Sequence, residues 1–135
     1  MFEIFKEFRF EAAHSLHDSE HGQGRYTRLH GHSYRAQVFV RGKRAAEGWV
    51  MDLGALDALL GAVREELDHR FLNDVPDLGV PTLENLAHFI WTRLAPSAPG
   101  LSRVIVRRDS CGEGCIYHGP GDSAADAEAS THAYA

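Results

Sequence analysis

Two long segments of alternating side chains place the strongest constraint on the fold of this chain. In residues 2–14 most even positions are apolar and the series ends at His14, whereas most odd positions are charged. Residues 30–42 alternate in the same way. Because successive side chains of a strand point to opposite faces, each segment predicts a long strand with one buried face. The polar, glycine-containing stretch 15–28 predicts a loop that joins them as an antiparallel pair.

Two helices are predicted after this pair of strands. Asp52 is placed to cap the first helix, in which apolar residues recur at helical spacing as far as Leu67. Thr82 is placed to cap the second helix, which continues to Leu94 and ends before two prolines. A short strand is predicted at residues 49–51, immediately before the first helix.

Strand patterns return near the C-terminus, at residues 101–109 and 115–117. Strands followed by helices and then strands predict an α+β fold, with a four-stranded antiparallel sheet and both helices packed on one face. The length of 135 residues is typical of one domain, which we assign to residues 1–118. Residues 119–135 lack an apolar pattern and predict a disordered acidic tail.

Composition excludes several classes of partner. The net charge is −5, and no basic patch indicates nucleic-acid binding. The apolar stretches are too short to span a membrane. The N-terminus lacks the layout of a signal peptide, so a cytoplasmic location is expected, where Cys111 and Cys115 are expected to be free thiols. A domain of this size buries a modest core, which makes association into oligomers plausible.

Three histidines predict a metal site. His30 and His32 lie two residues apart in a strand pattern and therefore share a face, and Gly31 lies between them. His14 lies on the mainly apolar face of the neighbouring strand. Three imidazoles in this arrangement are typical of a catalytic zinc site with its fourth position open for water or substrate. The alternative for His30 and His32 alone is a pair of surface histidines near a turn.

Six stretches together resemble the 6-pyruvoyltetrahydropterin synthase family, and most closely its bacterial 6-carboxytetrahydropterin synthase branch. They occur in the order found in that family and extend from residue 10 to residue 119. The stretches are FEAAH (10–14), LHGHSY (29–34), WVMDL (49–53), LDHRFLN (67–73), PTLEN (81–85) and GCIYHG (114–119).

The resemblance implies the tunnelling fold, in which subunits join their sheets into a barrel. It also implies a hexamer built as a dimer of trimers, with active sites between subunits and a small-molecule substrate. On the positions that match, His14, His30 and His32 are implied to be the ligands of Zn²⁺.

Four further residues take roles from the resemblance. Asp68 and His69 match the proton-relay pair of the family, and a carboxylate beside an imidazole stabilises its charged form. Without the resemblance, the same pair reads as a helix C-terminus with a favourable cation. Thr82 and Glu84 match the segment that contacts the substrate ring, and they are equally suited to an N-cap and a first-turn acid.

The first departure from the family pattern concerns the catalytic base. The family places a cysteine four residues before the first histidine of the His-Gly-His motif, and this chain has Tyr26 there. An unperturbed tyrosine, with a pKa near ~10, is a far weaker base than a thiolate near neutral pH. Tyr26 activated by a cation, His17 or His21 are the candidate substitutes, and Cys111 is a further candidate if the fold brings it close.

The second departure concerns the glutamate that anchors the pterin ring in the family. Either Arg108 or Asp109 occupies its position, because this chain is one residue longer there than the bacterial pattern. Asp109 would preserve the anchor with a shorter reach. Arg108 would abolish it and would suit a carboxylate or phosphate instead.

The resemblance therefore implies a zinc-dependent carbon–oxygen or carbon–carbon lyase acting on dihydroneopterin triphosphate or a related substrate. One alternative is a diverged member that catalyses a condensation, such as a Pictet–Spengler-type cyclisation of an aromatic amine with a phosphosugar aldehyde. Another is an inactive paralogue that binds pterin or serves as a scaffold.

Overall fold

The predicted α+β architecture is confirmed in the computed structural model, which describes residues 1–16 and 27–121. Within them a single sheet has the strand order β3-β1-β2-β4-β5. The elements in chain order are β1 (Phe2–His14), β2 (His30–Gly42), α1 (Leu53–Leu67), β3 (Arg70–Phe71), α2 (Leu83–Leu94), β4 (Leu101–Arg108) and β5 (Glu113–Tyr117). Short 3-10 turns follow β3 and β4, at Leu72–Asp74 and Asp109–Cys111.

The sheet differs from the prediction at one edge. It has a fifth strand, β3, which runs parallel to β1 and pairs with Ala12 and Ala13, whereas all other pairings are antiparallel. Two residues are too few to show an alternating pattern, so this strand left no sequence signal. The predicted strand at 49–51 is wrong, because Ala45 N donates to Trp49 O and closes a local turn instead.

Both helices lie on one face of the sheet, as predicted. Helix α1 packs on β1, and α2 packs on β4 and β5. The core contains the even-numbered apolar residues of the three long strands, except for the exposed Phe2, together with the buried stripes of both helices. Its most deeply buried large side chains include Phe10, Tyr34, Val38, Leu56, Leu60, Leu67, Leu86, Ile90, Leu94 and Val104.

The predicted helix caps are confirmed. The Asp52 carboxylate accepts a hydrogen bond from Gly54 N at 3.0 Å, and the Thr82 hydroxyl accepts one from Asn85 N at 3.1 Å. Each contact satisfies a backbone donor that has no partner within its own helix. No helix in the described part of the chain is long and apolar enough to cross a membrane.

The opposite face of the sheet is open and charged. Arg103 forms an ion pair with Glu3 at 2.9 Å across the strands and lies over the ring of Phe39. That ring stacks on Phe5 with centroids 5.2 Å apart, and Phe5 is 53% exposed.

The domain boundary after residue 118 stays a prediction, and residues 122–135 of the predicted tail lie outside the described residues.

Candidate functional site

Strand register brings the three predicted metal ligands together. His14 lies directly opposite His30 in the antiparallel pair, and His32 lies opposite Ala12 on the same face. One potential ligand atom from each imidazole lies within 4.8 Å of the other two. This group, which we call the tripod (His14, His30 and His32), sits where β1 ends and β2 begins, at the rim of the core.

Two members of the tripod are oriented by backbone carbonyls. His14 Nδ1 lies 3.0 Å from Pro81 O, and His30 Nδ1 lies 2.7 Å from Arg28 O. Carbonyl oxygens only accept, so each ring donates from Nδ1, and in the neutral form of each ring Nε2 is the unprotonated nitrogen. The two Nε2 atoms lie 2.9 Å apart. When both rings are neutral, these two unprotonated nitrogens repel each other at this distance, and a bound cation would relieve the repulsion.

The environment of the tripod lowers the pKa of two of its imidazoles, those of His14 and His32. His14 is fully buried, and burial lowers its pKa to about 4. Burial also lowers the pKa of His32, and the nearby positive charge of Arg108 adds to that shift. Neutral imidazole is the form that coordinates metal. The donor set therefore fits a metal ion of the kind that three histidines hold.

The third member of the tripod has a thiol as its neighbour. His32 Nδ1 lies 3.8 Å from Cys111 Sγ, in the turn that follows β4. The fold thus brings Cys111, an exposed free thiol, to the tripod. Tyr26, His17 and His21, the other candidates for the missing base, lie outside the described residues.

The Asp68–His69 pair lies where α1 ends beside β1. One Asp68 oxygen accepts from Glu11 N at 2.9 Å, and the other lies 2.9 Å from His69 Nδ1 and 3.0 Å from Arg64. The Glu11 hydrogen bond is the main reason that the pKa of Asp68 is lowered. Asp68 therefore accepts from Nδ1–H of His69 and leaves the other ring nitrogen free, on a side chain that is 76% exposed.

His69 has an unusual backbone conformation for a residue with a side chain. Its φ of 58° lies in the left-handed region, and its N–H donates to Glu11 O. Such strain persists where the surroundings impose it, and it is enriched at active sites. His69 and His32 both line a surface depression of about 590 Å³ together with Ser33, Arg70 and Ser110.

Thr82 and Glu84 follow Pro81, the residue whose carbonyl contacts the tripod. Pro81, whose carbonyl holds His14, immediately precedes the capping Thr82. Glu84 occupies the first turn of α2 and is exposed. The backbone of Pro81 therefore connects this segment to the tripod, and both side chains retain the helix-start positions that the sequence predicts.

Arg108 and Asp109 point to different places. Both oxygens of Asp109 are bound by Arg35, at 2.8 and 3.1 Å. The Arg35 hydrogen bond is the main reason that the pKa of Asp109 is lowered. Arg108 lies on the side of the tripod, where its charge lowers the pKa of His14 and of His32. Of the two candidates for the anchor position, Arg108 is therefore the one beside the tripod.

Sequence reasoning missed the groups that hold the site in place. The side chain of Asn73 accepts a hydrogen bond from Ser15 N at 2.9 Å and donates one to Ser15 O at 2.8 Å. These two bonds fix the backbone of Ser15, the residue that follows His14. Asn73 ends a stretch that resembles the family, but its contact with Ser15 spans 58 positions. The carbonyls of Pro81 and Arg28 leave no side-chain signal at all.

Comparisons with known proteins show which family this chain resembles in sequence and in fold. Residues 3–120 match the family model described as 6-pyruvoyl tetrahydropterin synthase. The chain is 41% identical to a 6-carboxy-5,6,7,8-tetrahydropterin synthase of Synechocystis sp., over 89% of this chain and 95% of that protein. It is 38% identical to a dihydroneopterin monophosphate aldolase of Pyrococcus furiosus, over 78% and 83% respectively. A Caenorhabditis elegans 6-pyruvoyl tetrahydropterin synthase has a similar structure, with a TM-score of 0.77, 25% identity, and coverage of 87% of this chain and 95% of that one.

Proposed function

The chain belongs to the 6-pyruvoyl tetrahydropterin synthase family, and on that basis we propose that it is a zinc-dependent lyase acting on phosphorylated dihydroneopterin. The observation that carries the proposal is the tripod, whose three imidazoles converge on one point. Similar proteins include a synthase of 6-carboxy-tetrahydropterin and an aldolase of dihydroneopterin monophosphate. The shared theme is cleavage at the side chain of a pterin, and we assign that reaction class here.

The metal would be held by His14, His30 and His32. Zinc held by these three histidines would supply Lewis-acid chemistry and would polarise oxygen atoms of a substrate side chain. The protein contributes the orientation of the rings, through the carbonyls of Pro81 and Arg28. Because His14 is fully buried and neutral, it adds no positive charge to the site.

Proton transfer is the proposed role of the Asp68–His69 pair. Asp68 accepts from Nδ1–H of His69 and stabilises the charged form of that ring when it takes up a proton at the exposed nitrogen. His69 faces the same depression as His32, so a substrate bound there contacts both residues. Thr82 and Glu84, at the start of α2, are proposed to contact the ring of the substrate.

A zinc and turnover assay tests the metal site. Purified protein loaded with zinc should turn over dihydroneopterin triphosphate or dihydroneopterin monophosphate. His30→Ala should lose bound zinc and reduce turnover by more than about 100-fold. It removes a metal ligand itself, and the loss of a group that only hydrogen-bonds to a ligand already costs roughly 10- to 100-fold. His88→Ala is the matched control, since His88 is exposed on α2 and contacts Tyr117 away from the tripod. Undiminished zinc and turnover in His30→Ala would exclude the proposed site.

A second variant separates proton transfer from metal binding. His69→Ala should keep its zinc and reduce turnover by roughly 10²–10⁴-fold, the usual contribution of a general acid or base. If His69→Ala retained full turnover, the pair would be only a structural end to α1. Turnover of a pterin substrate at an ordinary enzymatic rate would also remove the main support for the condensation alternative.

We also propose that the protein assembles as a hexamer, as its resemblance to the family implies. The open sheet face carries exposed Phe5 and Ile116, and β5 forms one edge of the sheet. Unpaired strand edges and exposed apolar side chains favour association between copies. Light scattering coupled to size exclusion should give about six times the chain mass of 15.0 kDa, and a monomer would contradict the proposal.

A further inference from the structure

A second polar cluster lies beside the tripod, where β4 ends and β5 begins. Arg108 and Glu113 are paired across the two strands, and Arg108 Nε lies 3.0 Å from Glu113 Oε1. The side chain of Arg108 is only 13% exposed, whereas that of Glu113 is 47% exposed. A nearly buried cation is thus neutralised by a carboxylate that reaches in from solvent.

The contact between Arg108 and Glu113 differs from those of the neighbouring arginines. Arg35 is held by both oxygens of Asp109, and Arg107 Nε donates to Gln37 at 3.0 Å. The buried Nε of Arg108 makes no directed hydrogen bond with any described residue, so the pair has the distance of an ion pair without its alignment. A guanidinium normally binds a carboxylate or phosphate through two parallel hydrogen bonds. Arg108 therefore retains donor capacity for another anion.

A buried hydroxyl without a well-aligned partner lies in the same place. Tyr34 is 2% exposed, and its ring packs against His14 and His32 with centroids 6.4 and 5.8 Å away. The side chain of Arg108 reaches this hydroxyl, but no contact of the hydroxyl with a described residue has the geometry of a regular hydrogen bond. A buried donor without a well-aligned acceptor is costly, and a ligand oxygen at Arg108 would supply an acceptor.

We propose that Arg108 binds an anionic oxygen group, a phosphate or a carboxylate, on the molecule presented to the tripod, and that Glu113 is the resident counter-ion which this group displaces. The inference rests on the proposed function, which places that molecule at the metal. A phosphorylated side chain carries its anion within a few bonds of the hydroxyl groups that a metal would bind. The cation beside the tripod and the exposed position of Glu113 both suit such an exchange.

If a ligand anion displaces Glu113 from Arg108, substitutions of these two residues should have effects that differ from those expected for a purely structural ion pair. Removal of Arg108 should weaken anion binding, whereas neutralisation of Glu113 should strengthen it, because the competing carboxylate is lost. If the pair only stabilised the hairpin between β4 and β5, both changes would act in the same direction. The opposite signs therefore identify a binding role.

The test uses the full chain loaded with zinc, with zinc content measured for every variant. Methylphosphonate and acetate serve as separate phosphate-class and carboxylate-class probes in calorimetric titrations. Arg108→Gln should weaken binding of the preferred probe roughly tenfold or more, as expected for a lost charge-assisted hydrogen bond. Glu113→Gln should strengthen binding roughly two- to fivefold, the range of an exposed ion pair.

Two further variants complete the experiment. Arg108→Lys keeps the charge but loses the planar fork, so its affinity should fall between those of the wild type and Arg108→Gln. Arg107→Gln, on the other face of the same strand, is the matched control and should bind as the wild type does. A preference for methylphosphonate or for acetate identifies the anion class, and either preference supports the inference.

The outcomes separate this inference from the proposed function. Equal probe affinity in the wild type and Arg108→Gln, or weaker binding in both Arg108→Gln and Glu113→Gln, would overturn the inference even if the protein turns over phosphorylated dihydroneopterin. Opposite effects of the two variants, without turnover of any pterin, would support the anion site and leave the proposed function refuted.

Discussion

Acidification should destabilise the metal-free protein through His14. This imidazole is fully buried, and burial lowers its pKa to about 4 although its Nδ1–H donates to Pro81 O. In the unfolded chain the same group titrates near ~6.5. Between these two values the unfolded chain binds more protons than the folded protein does. Folding stability therefore falls as the pH drops from about 6.5 toward 4, and the loss levels off below that range.

The magnitude follows from the two pKa values. At pH 5 the imidazole of His14 is almost fully protonated in the unfolded chain and almost fully neutral in the folded protein. This difference in protonation lowers the free energy of unfolding by about 2 kcal/mol relative to pH 7.5, where the imidazole is neutral in both the folded and the unfolded state. The pKa of His32 is also lowered, so its titration adds to the loss with the same sign.

Urea unfolding of chelator-treated protein at pH 7.5 and at pH 5 measures this effect. The wild type should lose about 2 kcal/mol more than His14→Gln between the two pH values, because the contributions of all other groups are common to both proteins. His88→Gln, which removes an exposed imidazole, should lose as much as the wild type. Equal losses in the wild type and His14→Gln would refute the argument that burial keeps His14 neutral.

Two further predictions concern contacts that position the site and its surroundings. Asn73→Ala removes both hydrogen bonds to Ser15 and should lower the free energy of unfolding by about 1–3 kcal/mol in a urea titration. Asn73→Asp keeps only the acceptor, so its free energy of unfolding should lie between those of the wild type and Asn73→Ala. Gly119→Ala should lower the melting temperature measured by circular dichroism, because its φ is 89° and a Cβ there would lie 2.6 Å from the ring of Trp91. Gly48→Ala, with a similar φ of 96° and no atom within 4 Å, isolates the backbone cost and should have the smaller effect.

Some of the candidate site was accessible to sequence reasoning for a simple reason. His30 and His32 share a face because strands have a period of two, and His14 joins them because two strands joined by one loop pair antiparallel. The caps at Asp52 and Thr82 are equally local, since each side chain reaches a backbone N–H within three residues. Rules of this kind need no knowledge of distant residues.

The rest depended on contacts between distant parts of the chain. Strand β3 forms because the chain leaves α1 through the left-handed His69 and then runs beside β1, which no two-residue pattern predicts. The approach of Cys111 to His32 spans 79 positions, and the sequence left it as one of several candidates.

What the sequence alone determined is the identity of the chemical groups and the local geometry that strand and helix periods impose on them: three imidazoles, an acid–imidazole pair and two helix starts. Only the tertiary structure decided which of Arg108 and Asp109 faces the metal site. The alternatives differ by one residue in register, and a shift of one residue along a strand turns a side chain to the opposite face. Arg108 lies beside the tripod because the strand packs against the core and because Arg35 donates two hydrogen bonds to the carboxylate of Asp109.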